Sequence, residues 1–247
     1  MKHLFLTFLL CLLVACGREA APPAPESEPT VAAPATSEPT TEPEPTAEPT
    51  ATEEPEEVKL PEGWKEYAIE EGHMTLGLPE SFYVFKEGDL DQEAITEEMA
   101  EVVPAIAEQI DLGAMMQQGM KLYAMDVDTL MASPDDYPVT VNVIVSESGE
   151  VPLGLLLRAT SEQMEGFGAK NMATPEEITV NGQEMGLLEY DFTYAFPDGD
   201  KDARLRQVFF IVEGDLHVVT FTTPLEPDDT LRETIDAIIQ QIRVIEE

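Results

Sequence analysis

Apolar positions recur along this chain with two different periods. Ile95, Met99, Val102, Val103, Ile106 and Ile110 fall on one face of a helix over about 91–111, and Pro104 should kink it or start a second one. Residues 153–167 read as another helix, with Pro152 near its start and Leu156, Leu157, Met164 and Phe167 facing inward. A third carries Leu231, Ile235, Ile238, Ile239 and Ile242 on one face. Thr230-Leu231-Arg232-Glu233 fits a capping box there, and Asp228 and Asp229 suit the positive end of the helix dipole. Elsewhere the period is two. Leu188, Tyr190, Phe192 and Tyr194 alternate with Glu189, Asp191 and Thr193. Further strands fit 64–70, 73–78, 121–127, 139–146, 176–181, 204–212 and 216–222. Asn181-Gly182 reads as a tight hairpin turn and Gly214-Asp215 as another. Strands joined by hairpins, with helices inserted between sets, predict an α+β fold: an antiparallel sheet flanked by helices.

Neither period governs the first 57 residues. Leu4 to Val14 is an apolar run of 11, interrupted by Thr7 and preceded by Lys2. A helix needs about 20 residues to span a bilayer, so this run reads as a signal peptide over 1–15. It ends Leu13-Val14-Ala15-Cys16, which resembles the bacterial lipobox. In that pattern the Cys thiol takes a diacylglycerol and further acyl lipid, and Cys16 becomes the new N-terminus. The plainer alternative is an ordinary secretory signal with Cys16 left free. Residues 17–57 hold 10 Pro, 11 Glu, 8 Ala and 7 Thr, one Val and no aromatic residue. Such a stretch cannot bury enough apolar surface to repay its ordering entropy. The lipidated Cys and this stalk, over 16–61, are expected to hold a globular domain, 62–247, between about 35 and ~125 Å from a membrane. The expected location is the extracytoplasmic face of a cell membrane.

Charge narrows the partners. There are 13 Lys+Arg against 50 Asp+Glu, a net charge of -37. Such a chain repels phosphate backbones, so no nucleic-acid partner is expected. Both cysteines, Cys11 and Cys16, precede the domain, which excludes an internal disulfide framework and a thiolate metal cluster from it.

The domain resembles the Mog1/PsbP-like group, which includes bacterial lipoproteins. The resemblance rests on Trp64-Lys65-Glu66-Tyr67 leading into His73-Met74-Thr75-Leu76-Gly77-Leu78-Pro79-Glu80-Ser81-Phe82. At the other end a strand pair, Val208–Val212 with His217–Phe221, precedes an amphipathic helix and a short strand at Arg243–Ile245. The acidic stretch at about 89–120 is longer than that pattern. The resemblance implies an α/β/α sandwich with an antiparallel sheet and carries no catalytic signature. Its members act mainly in binding or assembly.

Candidate chemistry is sparse. Asp198, Asp200 and Asp202 hold positions 1, 3 and 5 of a calcium loop, but Ala203 and Phe209 stand where Gly and Glu belong. The signal is therefore weak, and a polar loop between strands accounts for them better. Lys201, Arg204 and Arg206 form a basic cluster that either anchors an anionic partner or pairs across strands. If 195–202 closes a hairpin, Asp191 faces Arg206 and Thr193 faces Arg204. His217 shares a strand face with Val219 and Phe221, as a satisfied core histidine does, and His73 follows a turn at Gly72. Met115, Met116 and Met120 suit adaptable packing better than a soft-metal site. No G-x-S-x-G, S-x-x-K, P-loop or dinucleotide motif occurs.

The reading is a lipid-anchored, non-enzymatic binding or assembly module with a protein partner and no catalytic residues, no metal and no cofactor beyond the lipid on Cys16. The alternative is an envelope protein that binds a small ligand or a cation. A carboxylate-pair hydrolase stays open as a third class. The stretch 89–120 is the candidate contact region, because methionines adapt to varied surfaces.

Overall fold

The computed structural model describes residues 59–86, 112–133, 137–149, 151–196 and 199–245. The signal peptide, the lipobox, the stalk to residue 58 and the helix expected over 91–111 lie outside the described residues. The chain runs β1 (Trp64–Ile69), a single 3-10 turn (Glu70–Gly72), β2 (Met74–Pro79), β3 (Phe82–Lys86) and α1 (Leu112–Met116). Then come β4 (Met120–Asp126), α2 (Val127–Ala132), β5 (Thr140–Glu147), α3 (Leu153–Gly166), β6 (Glu176–Val180) and β7 (Gln183–Phe196). β8 (Gly199–Val212), β9 (Asp215–Pro224), α4 (Asp229–Gln240) and β10 (Arg243–Val244) complete it.

The strands form a seven-stranded sheet in the order β3-β4-β5-β9-β8-β7-β6 and a three-stranded sheet β1-β2-β10. Each recorded strand pairing is antiparallel. Period two divides the large sheet into two apolar faces. Val141, Val143, Val208, Phe210, Val219 and Phe221 point to one, where they meet Leu76, Leu78, Ile235, Ile238 and Ile239 of the small sheet and α4. Leu188, Tyr190, Leu205, Phe209 and Val218 point to the other, under Leu157 and Met164 of α3. At the β3–β4 end that face is closed by Leu112 and Met116 of α1. The result is the expected α+β antiparallel sheet with helices on both faces.

Several boundaries differ from the sequence reading. β3, α1 and α2 are short, and a five- or six-residue segment shows too few turns for its period to register. α4 starts at Asp229, two residues before the expected box would place it, because Asp228 is the N-cap and its carboxylate accepts from the Leu231 N–H at 2.8 Å. The β8–β9 turn is Glu213-Gly214, one residue earlier than expected, with both residues at positive φ, 53° and 94°. Phe167, expected inward, is 41% exposed, because α3 ends at Gly166 and Gly168 turns the chain away with φ 96°.

Gly186 sets how closely α3 lies on the sheet. A Cβ there would stand 2.5, 2.6 and 2.8 Å from three carbons of Leu157. Gly186→Ala should therefore destabilise the domain by about 1–3 kcal/mol, read as a lower urea midpoint at constant slope. Adding Leu157→Ala should recover part of that loss, since the two side chains then no longer compete for one space.

Candidate functional site

Among the described residues, the fold uses most of the side chains with candidate chemistry to hold itself together. His217 lies in β9, between Val145 of β5 and Phe210 of β8. It is 1% exposed and stacks on the Phe210 ring at 4.8 Å. Its Nε2 is 2.7 Å from the Gly72 carbonyl oxygen and its Nδ1 is 3.1 Å from that of Asp215. Burial pushes its pKa below the ordinary histidine value, and the two carbonyls and the Asp215 carboxylate offset only part of that. A core histidine is what its strand neighbours imply, and both ring nitrogens are occupied. His73, distant in sequence, lies close enough that its charge would lower the His217 pKa further.

The basic cluster lies on the β7–β8 ladder. Phe196 pairs with Gly199, so the strands run further than a loop over 195–202 would allow, and the pairing register is shifted by two residues. Asp191 faces Arg204 rather than Arg206, Glu189 faces Arg206, and Thr193 faces Asp202. Arg204 Nε donates to Asp191 Oδ1 at 2.9 Å, and Asn171 Nδ2 donates to Asp191 Oδ2 at 2.7 Å. Arg206 pairs with Asp236 of α4. Lys201 stands opposite Tyr194. The cluster is therefore mostly internal cross-linking. Asp191 also binds the 167–173 segment, since its N–H and C=O exchange hydrogen bonds with Lys170 at 2.8 and 2.9 Å.

Of the three aspartates with calcium-loop spacing, Asp198 lies outside the described residues. Asp200 and Asp202 lie within β8 rather than in a loop, because the strand runs back to Gly199. Asp202 accepts from the Thr193 hydroxyl. Among the described residues no group of three or more His, Cys, Asp or Glu side chains comes together to hold a metal. Met116 and Met120 are buried with Phe85, Tyr123, Met125 and Ile144, and Met115 packs against them. Their thioethers fill core space, and residues 89–111 of the candidate contact region lie outside the described residues.

The sequence reading missed an uncharged polar network on the second face of the large sheet. The Tyr190 hydroxyl donates to Gln207 Oε1 at 3.2 Å, and Gln207 Nε2 donates to Thr220 Oγ1 at 3.1 Å. The Tyr123 hydroxyl bonds Thr140, and the Tyr137 and Tyr194 rings lie 4.9 Å apart. Burial raises the pKa of all four tyrosines far above the neutral range. These hydroxyls stay protonated, and they donate and accept hydrogen bonds without ionising. The sequence carried no signal for it: Thr140, Gln207, Thr220 and Thr222 alternate with apolar residues, which reads as a solvated face, and only the fold buries them.

No protein-family model matches the chain, and no curated protein matches it. Among solved structures it is similar to the cyanobacterial PsbP protein CyanoP of Synechocystis sp. PCC 6803, at 14% identity over 76% of this chain and 95% of that one, TM-score 0.46. It is also similar to LpqN of Mycobacterium tuberculosis, a protein involved in cell envelope biogenesis, at 13% identity over 70% of this chain and 83% of that one, TM-score 0.42. Neither likeness assigns this chain a ligand or a partner.

Asp191 is the test of the cross-linking role. Asp191→Ala leaves Arg204 and Asn171 without their shared acceptor and should lower stability by about 1–3 kcal/mol, the cost of stranding partly buried donors. Hydrogen exchange should quicken first at Lys170 and Ala173, the residues that Asp191 and Glu189 hold. An unchanged exchange pattern there would show that the segment is held by its apolar contacts alone.

Proposed function

We propose that this protein is a lipid-anchored extracytoplasmic protein whose α+β domain is a non-enzymatic binding or assembly module. The observation that carries the domain reading is the state of its best chemical group. His217 is buried, with a backbone carbonyl at each ring nitrogen, so it has no free nitrogen to offer a substrate. The tyrosine network points the same way. Its hydroxyls are held protonated, which suits hydrogen bonding and does not suit proton abstraction. The anchoring reading rests on Leu13–Cys16 and the apolar run before it. No helix among the described residues is long and apolar enough to cross a membrane. The partner is a basic or neutral protein surface, because the net charge of -37 repels acidic ones.

Two experiments test this. Cys16→Ser should move the protein out of the membrane fraction, since stable anchoring takes two or three acyl chains. Processed Cys16→Ser protein that still partitions with membranes would remove the anchor from the reading. Capture of the full chain from its own membranes, without crosslinking, should yield a partner whose recovery falls as salt rises. Turnover of a substrate from a glycoside, ester and peptide panel, lost on changing one carboxylate, would make the protein an enzyme instead.

A further inference from the structure

Asn181-Gly182 is a turn in the sequence and a clamp in the fold. The two residues join β6 to β7 with φ of 50° and 82°, the pair of positive values that a two-residue type I′ hairpin requires. The Asn181 side chain reaches out of its own hairpin. Its Nδ2 donates to the carbonyl oxygens of Gln240 at 3.0 Å and Ile242 at 2.8 Å, 59 and 61 positions further along the chain. Gln240 ends α4, and Ile242 leads into β10. The last carbonyls of a helix have no partner within it. Here the N–H groups of Gln241 and Ile242 return to the carbonyls of Ile238 and Ile239, and the Asn181 amide takes that of Gln240. α4 has no basic residue in its last turn, so a neutral amide serves the negative end of its dipole.

Asn followed by Gly is also a reactive pair, because glycine has no side chain to shield its backbone nitrogen. That nitrogen, having lost its proton to hydroxide, bonds to Asn181 Cγ. The Cγ–Nδ2 bond breaks, Nδ2 takes a proton, and ammonia leaves a five-membered imide. Water then opens the ring at one of its two carbonyls, giving either an ordinary aspartate or an isoaspartate whose backbone runs through Cγ. One water enters and one ammonia departs. We propose that Asn181 is a deamidation site whose reactivity is set by the clamp: docked, the residue is protected, and once converted it no longer docks.

Two features protect the docked residue. In the left-handed region ψ is about +47°, which holds the following nitrogen anti to Cβ across the Cα–C bond and away from Cγ. Attack needs that bond to rotate, which breaks the turn. The two carbonyls also fix the amide, so rotation must release them first. Release is local. β6 has five residues at the edge of the large sheet, with Glu176, Glu177 and Thr179 exposed, and it is held mainly by Val180 and Ile178 on the core. Asn181 and Gly182 are themselves exposed, so water and hydroxide reach them. Conversion is one-way in its effect. A carboxylate has no proton to give the two carbonyls, and it sets a negative charge at the negative end of α4. An isoaspartate adds a backbone atom to a two-residue turn, which upsets the pairing of Val180 with Gln183.

The test follows Asn181 by peptide mass spectrometry in the full chain at one mildly alkaline pH. Product should accumulate in the native chain, at least about tenfold more slowly than in the urea-unfolded chain. Ile239→Ala removes a buried side chain from the last turn of α4 and leaves the hairpin untouched. It should quicken conversion in step with amide exchange at Gln241 and Ile242. Should that variant not fold, urea below the unfolding midpoint takes its place. Asn181→Asp, the ordinary product, should quicken exchange at Gln241 and Ile242 at least about tenfold while the β8–β9 amides hold. Equal rates in native and unfolded chains would remove the protection. A native chain that forms no product while its Gln241 amide exchanges would remove the site. Unchanged exchange in Asn181→Asp would remove the clamp, and any one of these overturns the proposal.

Discussion

The pairing of β5 with β9 is the interaction on which the rest depends. Eight residue pairs, from Thr140 with Thr222 to Glu147 with Asp215, join residues that lie 68 to 82 positions apart in sequence. Without it the chain has two separate sets of hairpins, β3-β4-β5 and β6-β7-β8-β9, each with an open edge and neither able to close two apolar faces. With it, one sheet forms whose faces are both apolar, and both must be covered. That demand places α3 on one side and α4 with the small sheet on the other. It also costs loop-closure entropy before any contact repays it, so this pairing is the step expected to slow folding.

Covering both faces makes close approach a requirement. Gly186 lets α3 come down on β7, and Gly77 lets β2 pass under Leu60 and Gln241, where a Cβ would stand 2.6 and 2.9 Å from side-chain carbons. Gly72 does the same at the His217 junction. At each of these places a side chain would push two layers apart, so the glycines set the thickness of the domain.

An acidic chain of net charge -37 must fold against its own repulsion. Among the described residues, several of its few cations tie separate elements together. Arg206 joins β8 to α4, Arg243 of β10 reaches Glu66 of β1, Arg204 joins β8 to Asp191 of β7, and Lys121 of β4 holds the β1–β2 turn. Exposed pairs of this kind contribute little singly, roughly 0–1 kcal/mol. Asp191 differs because it is buried and shared by Arg204 and Asn171.

Local patterns in the sequence determined most of the strands, β3 excepted, and the two long helices. Period two is visible wherever one residue faces a core, and β1, β2, β4, β5 and β6 start and end within a residue or so of the alternation that marks them. Asn181-Gly182 and the amphipathic face of α4 are equally local signals, as is the acidic charge that argues against nucleic acid. What tertiary structure alone decided is which distant residues meet. The β7–β8 register depends on a two-residue connection, and nothing in the strands themselves distinguishes Asp191 opposite Arg204 from Asp191 opposite Arg206. The encounter of His73 with His217 depends on β9 entering the centre of the sheet. The buried tyrosine network depends on α3 covering a face whose threonines and glutamine look solvent-ready in sequence. Local propensity acts within a few residues, whereas register, layer contacts and burial are set by which strands the closing of the sheet brings side by side.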